Sequence, residues 1–315
     1  MEPLFTPLFE ALTAHQATAS HSQADETRWA VFCEREGKQG YRWWLWAFFS
    51  DEVVVFRLDP SRSHDVPEQH FPADAQMVLM VDRYAGYKAM AQVKAGHVLL
   101  AFCWAHVRRD FVEVGKGWKE LTPWALAWLG RIAELYRLNR RRLSADVNDR
   151  RKADACLRTH VASMRGQCDQ ELSDEKLREP CRKVLTSLVE HWEGLTRFVV
   201  DARIPLDNNR SERGVRGPAV GRKNYYGSGS EWSGRLAAKL FSIFATLSLW
   251  RLNVAKWLSW YLDGCAKAGG APSDVSPFLP WNLSAEQLTE FASDSASSST
   301  DTRLPVGLPP PADSA

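Results

Sequence analysis

The stretch TRWAVFCEREGKQGYRWWLWAFFSDEVVVFRL, residues 27–58, contains three apolar segments separated by short polar ones. TRWAVFCE (27–34) alternates apolar and polar side chains, and a GKQG turn separates it from the aromatic YRWWLWAFF (41–49). VVVFRL (53–58) follows after a short acidic connection. Segments of this length that are rich in β-branched and aromatic residues are typical of an antiparallel meander. We interpret the aromatic cluster as core.

Two further strands are predicted downstream. MVLMVD (77–82) is a continuous apolar run that ends on an aspartate, as expected of a buried central strand. HVLLAFCW (97–104) predicts a fifth strand, and AHVRRDFVEV (105–114) begins a helix directly after it. Short helices are predicted at 3–15 and 61–71, with another after residue 82.

The order β-β-β-α-β-α-β-α predicts an α/β fold of the ribonuclease H-like class, a mixed sheet with helices on both faces. In that topology the first and fourth strands are neighbours. Asp25 begins the first predicted strand and Asp82 ends the fourth, so their carboxylates are expected to come together.

The apolar periodicity changes to 3.6 residues between Thr122 and Asp201, which predicts a helical insertion of three amphipathic segments before the last catalytic helix. A Gly/Ser-rich loop at 221–234 precedes one long helix at about 235–263, and the Ser/Pro-rich end is expected to be disordered. The predicted parts are a lead-in helix (1–24), the first part of the core (25–121), the insertion (122–201), the core completion (202–265), a C-terminal extension (266–292) and the tail (293–315).

Composition limits the class of protein without identifying it. The 315 residues are 45% hydrophobic and 25% charged, which is ordinary for a globular protein. The net charge of +2 is too small to argue for nucleic acid. However, residues 131–158 hold nine Lys/Arg against four Asp/Glu, which fits either polyanion contact or solvated helix faces.

Six scattered cysteines without a CxxC pair support neither a disulfide scaffold nor a Cys-only zinc site. The first 25 residues do not show the pattern of a signal peptide, and the apolar run at 240–250 is too short to span a bilayer. We therefore expect an intracellular protein with reduced cysteines.

The segment LDNNRSERGVRG (206–217) is the most polar candidate site. Asp207 or Asn208 is a natural N-cap, which places Glu212 in the first turns of a helix. Two strand aspartates and this glutamate would supply the hard oxygen ligands that Mg²⁺ prefers, and phosphoryl transfer on nucleic acid uses two such ions about 4 Å apart. The alternatives are a turn or cap role for each aspartate, and for Glu212 an exposed ion pair with Arg216.

The blocks DET (25–27), DRYAGY (82–87), CWAHVRRDF (103–111), LDNNRSERGVRG (206–217) and GRKNYYGSGS (221–230) together resemble the insertion sequence 66 family of bacterial transposases. The resemblance covers roughly residues 5–285. It implies an Asp-Asp-Glu transposase in which Asp25, Asp82 and Glu212 bind two Mg²⁺ or Mn²⁺ ions and catalyse DNA cleavage and strand transfer.

Other residues of these blocks have implied supporting roles. Asn208 and Asn209 would cap the helix and orient Glu212, and Cys103 and His106 resemble a Cys-x-x-His signature. A zinc site there would need two more ligands, so packing around the second aspartate is the alternative. The expected phosphate-contacting cations are Arg108, Arg109, Arg213, Arg216, Arg222 and Lys223, although simple solvation would also explain Arg108 and Arg109.

The implied partners are double-stranded DNA at the element's ends and at the target, further copies of the chain on DNA, and accessory proteins of the same element. No membrane is expected, and the location would be the bacterial cytoplasm at the nucleoid. Family members carry a coiled-coil, Cys-rich and helix-turn-helix region before the catalytic one, whereas only 24 residues precede Asp25. We therefore expect a truncated reading frame or catalytic fragment. A non-catalytic remnant that binds DNA or inhibits intact transposase, and a ribonuclease H-like nuclease of another kind, are the alternatives.

Overall fold

The computed structural model describes residues 1–33, 41–209, 214, 217–218, 220–221 and 226–293. The predicted GKQG turn and nearly all of the predicted disordered tail lie outside the described residues, as do Glu212, Arg213, Arg216, Arg222 and Lys223. The chain divides into two compact units, Met1–Thr246 and Leu247–Ala315.

The first unit contains a mixed five-stranded sheet. Its strands are β1 (His21–Val31), β2 (Tyr41–Phe49), β3 (Val54–Asp59), β4 (Met77–Val81) and β5 (Val98–Phe102). The strand order is β3-β2-β1-β4-β5. The first three strands pair antiparallel, which confirms the predicted meander, and β4 and β5 join parallel to β1.

The register between β1 and β4 determines what meets at the end of β4. Gln23 is opposite Met80 in this parallel pair, and the predicted neighbourhood of the first and fourth strands is thereby confirmed. Two residues further along each chain are Asp25 and Asp82. β1 begins at His21 rather than at Asp25, so Asp25 lies inside the strand, flanked by ladder hydrogen bonds to β2.

Helices surround this sheet and form the second unit. They are α1 (Glu2–Ala17), α2 (Asp65–His70), α3 (Ala85–Ala89), α4 (Ala91–Lys94), α5 (Trp104–Gly117), α6 (Thr122–Ser144), α7 (Val147–Leu172), α8 (Glu179–Glu190), α9 (Trp192–Val200), α10 (Glu231–Leu249), α11 (Val254–Ala268) and α12 (Ala285–Glu290). Short 3₁₀ turns occur at Lys119–Leu121, Ser276–Phe278 and Pro280–Asn282.

The third predicted segment of the insertion is two helices rather than one. α8 and α9 meet at His191, whose ring Nδ1 lies 2.7 Å from the Ser187 carbonyl oxygen and whose Nε2 lies 2.6 Å from Lys88 Nζ. Beyond the break, Gly194 packs directly on β5, because a Cβ there would come within 2.5 Å of the Phe102 ring. The apolar stripe continues across the break, so periodicity alone did not reveal it.

The predicted long helix at about 235–263 is also interrupted. α10 ends at Leu249 and α11 begins at Val254. Between them Arg251 has a φ of +59°, a left-handed conformation that a continuous helix does not accept. Asn253 then caps α11 by accepting a hydrogen bond from the Lys256 N–H at 3.1 Å.

The two faces of the sheet are covered by different parts of the chain. One core runs from Trp46 and Phe48 of the sheet through Phe111 of α5 to Trp128 of α6 and Leu185 of α8, so the insertion shares its core with the sheet. The predicted core role of the aromatic cluster is confirmed for its buried members.

On the other face, α10 closes the outer strand with its hydroxyl groups. Ser242 Oγ accepts a hydrogen bond from the Phe56 N–H at 2.8 Å, and Thr246 Oγ1 accepts one from the Val54 N–H at 3.0 Å. These bonds satisfy backbone donors of the edge strand β3 that no further strand pairs with.

In the second unit, Trp257 and Tyr261 of α11 stack at 5.4 Å, and the Trp257 indole donates to the Phe278 carbonyl oxygen. Among the described residues, no helix combines the length and apolar composition needed to cross a bilayer.

Candidate functional site

Two aspartates lie side by side where β4 ends. Asp25 is opposite Ala47 in the antiparallel pair, and its Oδ1 accepts a hydrogen bond from the Glu26 N–H at 2.9 Å. Asp82 is the first residue after β4, and its Oδ1 accepts one from the Tyr84 N–H at 2.9 Å. The sheet register and one local backbone donor therefore position each carboxylate.

A third carboxylate, Glu26, is buried beside them. Its side chain is 2% exposed, and Arg62 donates two hydrogen bonds to Oε1 at 2.8 and 2.6 Å. The Tyr87 hydroxyl donates to Oε2 at 2.7 Å. Burial raises the pKa of Glu26, and the negative charge of Asp82 acts in the same direction. Burial likewise raises the pKa of Tyr87, with contributions from Glu26, Asp82 and Asp25. Negative charge is therefore concentrated at this end of the sheet.

Arg62 links this buried carboxylate to the turn at Asp82. Its guanidinium lies 4.7 Å from the Trp44 ring and 4.1 Å from the Tyr84 ring. The Tyr84 hydroxyl donates to the Arg62 carbonyl oxygen at 3.0 Å, while the Tyr84 N–H bonds to Asp82. The sequence motifs alone did not identify four residues of this site, namely Glu26, Arg62, Tyr84 and Tyr87. A usable signal was present in Glu26, which shares the strand face of the buried Ala24 two positions earlier.

The segment 206–209 lies across the end of β5 and beside β1. The Trp104 N–H donates to the Leu206 carbonyl oxygen at 2.9 Å, and the Asn208 N–H donates to Cys103 Sγ at 3.3 Å. The Asn208 side chain is buried, and its amide donates to the Ala24 carbonyl oxygen at 3.2 Å. Asn208 therefore ties the polar motif to the residue immediately before Asp25.

Asp207 makes a local side-chain contact within the motif. Its Oδ1 accepts a hydrogen bond from the Asn209 N–H at 3.1 Å. The sequence predicted either Asp207 or Asn208 as the N-cap. Asp207 provides a side-chain oxygen that accepts from the Asn209 N–H, whereas the Asn208 side-chain amide donates to β1.

Gly214 shows on which face of the sheet the motif packs. A Cβ at this position would lie 2.3 Å from the Phe49 ring, so only glycine allows the approach. Phe49 is opposite Gln23, and Gln23 shares its strand face with Asp25 because successive side chains alternate. Gly214 thus packs on the face from which Asp25 projects, and in sequence it follows two positions after Glu212.

Cys103 and His106 flank the same junction. The Cys103 thiol is buried and accepts hydrogen bonds from the backbone N–H groups of Asn208, His106 and Ala105. Burial raises the pKa of this thiol, which favours the neutral form over the thiolate that binds metal. The observed contacts are those of a packing anchor between β5, α5 and the motif.

Arg108 and Arg109 are exposed on α5. The charge of Arg108 acts on the hydroxyl of Tyr136 in α6, and that hydroxyl interacts with the Asp207 carboxylate. Burial, together with Asp207, raises the Tyr136 pKa. Arg108 therefore lies on the side of α5 that faces the motif.

Asp25 and Asp82 are the described side chains whose fit to a metal ion can be considered. Within the described ranges, which exclude Glu212, no group of three or more His, Cys, Asp and Glu side chains could hold a metal ion. Asp25 and Asp82 supply carboxylate oxygens, and Mg²⁺ is commonly held by one or two carboxylates with several waters. The pair fits Mg²⁺ or Mn²⁺ better than a metal that prefers thiolate ligands.

A family model described as "Transposase IS66 family" matches residues 1–236. The chain belongs to this insertion sequence 66 family of transposases. The match contains Asp25, Asp82 and the whole 206–217 motif, so every element of the candidate site lies within the family region of the chain.

Three relatives are uncharacterized proteins of Sinorhizobium fredii. The protein y4qI is 29% identical over 279 residues, which cover 82% of this chain and 50% of the relative. The protein y4jD is 28% identical over 302 residues, covering 91% and 58%, and y4hP is 26% identical over 303 residues, covering 87% and 53%. The chain thus spans about half the length of the curated relatives it matches.

Proposed function

We propose that this chain carries the catalytic region of a transposase that cleaves DNA and transfers the resulting strand ends, with Asp25, Asp82 and Glu212 as the metal-binding acids. The observation that carries the proposal is the β1–β4 register, which puts the two aspartates side by side. The contacts of Asn208 and Gly214 support it, because Asn208 bonds to β1 next to Asp25 and Gly214 packs on Phe49 of the neighbouring β2. The strand order supports assignment to the ribonuclease H-like class.

Two Mg²⁺ or Mn²⁺ ions, when bound, would activate the attacking oxygen and stabilise the leaving oxygen of an in-line displacement. In the first step a water oxygen attacks phosphorus, the bond from phosphorus to the 3′ oxygen breaks, and the strand leaves with a 3′-hydroxyl. In the second step that hydroxyl attacks a target phosphodiester and displaces its 3′ oxygen. The three acids orient the reacting phosphate by holding its counter-ions.

Cations of the chain would neutralise the flanking phosphates without reading sequence. Arg108 and Arg109 are exposed on α5, and Arg108 acts on Tyr136 near the motif. The remaining candidates are Arg213, Arg216, Arg222 and Lys223 of the motif region. The partners in this proposal are double-stranded DNA, further copies of the chain on that DNA and accessory proteins of the same element.

A strand-transfer assay tests the proposal. The chain is incubated with a duplex oligonucleotide bearing a free 3′-hydroxyl and a supercoiled plasmid, with Mg²⁺ or Mn²⁺. We expect joined product from the wild type and none from Asp82→Asn or Glu212→Gln. The control Glu175→Gln changes an exposed carboxylate between α7 and α8 and should leave joining unchanged.

The products also separate the alternatives. Cleaved ends without joined product would indicate a nuclease of another kind. DNA binding without chemistry in either metal would indicate a non-catalytic protein, and either result would contradict the proposal.

A further inference from the structure

The insertion carries a cluster of cations at the end where α6 leads into α7. We define it as the α6–α7 basic end, formed by Arg140, Arg141, Arg150, Arg151 and Lys152, all of which are exposed. We propose that the α6–α7 basic end is a second DNA-binding surface that holds the phosphate backbone of the duplex next to the site. This inference rests on the proposed function for its ligand, and its test is independent of catalysis.

Among the described residues, all five cations of this cluster lack an acidic partner, whereas several other cations of the insertion have one. Within the described part of the chain, none of the five lies within ion-pair distance of a carboxylate. At the opposite end of the insertion, Lys116 pairs with Glu113, Arg178 with Glu120, and Lys183 with Glu179. Exposed arginines without intramolecular partners keep their donors available for phosphate oxygens.

The acidic residues at this end do not neutralise the cluster. Asp146 is the N-cap of α7 and accepts hydrogen bonds at 2.9 Å from the N–H groups of Asn148 and Asp149. Asp154 lies 3.6 Å from the buried Arg142 rather than from a cation of the cluster. Among the described residues, the acids nearest in sequence to these five exposed positive charges are Asp146, Asp149 and Asp154, so the surface stays net positive.

The α6–α7 basic end lies close to the proposed catalytic residues through α6. Tyr136 of α6 interacts with Asp207, which adjoins Asn208, the residue bonded to the strand position before Asp25. Arg140 follows Tyr136 by one helical turn on the same face, a rise of about 6 Å. Arg108 of α5 is near enough for its charge to act on the Tyr136 hydroxyl. A duplex engaged at the site would extend from Arg108 past Tyr136 to Arg140.

The end of α6 that carries Arg140 and Arg141 is hydrogen-bonded to α9. Arg142 is buried and donates to the Asn139 side chain and to the Phe198 and Val199 carbonyl oxygens. This arginine fastens the end of α6 to the last turn of α9, directly before the chain enters the motif. The cations are thus displayed from an ordered support rather than from a loose connection.

Salt-dependent DNA binding tests the inference. The probe is a 30-base-pair duplex of arbitrary sequence, with affinity measured by fluorescence anisotropy between 50 and 200 mM NaCl without divalent metal. The basic-end variant combines Arg140→Ala, Arg141→Ala, Arg150→Ala and Arg151→Ala. Each phosphate contact contributes roughly 0.9 to the slope of log affinity against log salt concentration. We therefore expect the slope to become shallower by about 2–4, and affinity at 100 mM NaCl to fall at least about tenfold.

The control variant combines Lys116→Ala, Lys176→Ala, Arg178→Ala and Lys183→Ala. It removes the same charge from the opposite end of the insertion, about 39 Å away along the 26 residues of α7. It should change the slope by less than about 1, while both variants keep the wild-type melting temperature. A basic-end variant indistinguishable from wild type, or a control variant weakened equally, would overturn the inference.

Failure of the two proposals is distinguishable. If the wild type binds DNA and only the basic-end variant weakens, the inference stands even if Asp82→Asn joins DNA as well as wild type. A wild-type chain that does not bind the duplex would overturn both proposals.

Discussion

Asn208 shows how a single amide can join two distant parts of the chain. Its side chain is buried and satisfies the Ala24 carbonyl oxygen, 184 positions away in sequence. Removing a buried hydrogen-bond partner leaves the remaining group desolvated, which costs about 1–3 kcal/mol.

We therefore expect Asn208→Ala to lower the free energy of unfolding by about 1–3 kcal/mol, as measured by urea denaturation. Asn148→Ala, at an exposed position in the first turn of α7, is the control and should change it by less than about 0.5 kcal/mol. Equal effects of the two substitutions would show that the Asn208 bond to β1 does not contribute.

Gly214 is required by close packing of the motif on the sheet. A methyl group there would overlap the buried Phe49 ring, so Gly214→Ala should destabilise the chain by about 1–3 kcal/mol and weaken metal binding. Phe49→Leu in the same chain should restore part of the loss, because the smaller side chain makes room. Gly117→Ala, where no atom lies within 4 Å of the added carbon, is the control for thermal unfolding. A neutral Gly214→Ala would contradict this placement of the motif.

At this scale the residues proposed to carry the chemistry were easier to recognise from the sequence than those that contact them. Asp25 and Asp82 were recognisable from their strand positions, and the structure brings them together. Arg62 was not recognisable from the sequence, because its importance depends on contacts with Glu26, Trp44 and Tyr84. These contacts form only in the folded chain.

Among the elements, the junction of α6 and α9 depends on the buried Arg142. Its guanidinium bonds to the Phe198 and Val199 carbonyl oxygens, acceptors that the end of a helix leaves unsatisfied. Truncation would leave these carbonyl oxygens buried and without the arginine donor. We therefore expect Arg142→Ala to lower the free energy of unfolding by about 2–4 kcal/mol in chemical denaturation. The neighbouring Arg141→Ala removes an exposed arginine and should cost less than about 0.5 kcal/mol. A mild Arg142→Ala would mean that the other contacts of α9, among them the bonds from Arg158 to Val199 and from Arg197 to Leu100, are sufficient to hold it.

The packing of α2 against the sheet makes stability depend on pH. The His70 ring stacks on Phe48 at 3.8 Å, and its Nε2 lies 3.0 Å from Gln16 Oε1 of α1. Burial lowers the pKa of His70 from 6.5 to about 3. Between these values the unfolded chain binds a proton that the folded chain does not, so stability falls as the pH decreases below 6.5.

We expect this histidine to contribute a loss of about 1.4 kcal/mol per pH unit below its ordinary pKa. Urea denaturation at pH 6.5 and 5.5 should therefore show a steeper decline for the wild type than for His70→Phe, which has no titrating group. Parallel declines would show that His70 is protonated in the folded state.

Element boundaries were predictable where capping or strand length marked them. The strands and the order of the core helices followed from apolar patterning. The breaks at His191 and Arg251 did not, because the apolar stripe continues through both. The break at His191 coincides with packing of the chain on β5, and the break at Arg251 with a left-handed backbone conformation. Neither feature changes the apolar periodicity of the sequence.

At the scale of the whole molecule, the proposed site is assembled from segments that the chain keeps far apart. β1, the end of β4 and the 206–217 motif meet only because the sheet is mixed and the insertion returns the chain to its edge. Topology made the meeting of the aspartates predictable from sequence. The position of the motif against the sheet was not predictable from the sequence. It depends on the hydrogen bonds of Trp104, Cys103 and Asn208.

The central claim is that Asp25 and Asp82 form one metal-binding site with Glu212. Isothermal titration of Mn²⁺ into the wild type, Asp82→Asn and Glu175→Gln tests it most directly, without DNA or catalysis. We expect Glu175→Gln to bind as the wild type does, and Asp82→Asn to bind at least about tenfold more weakly, a difference of about 1.4 kcal/mol. Equal Mn²⁺ affinity in the wild type and Asp82→Asn would contradict the account.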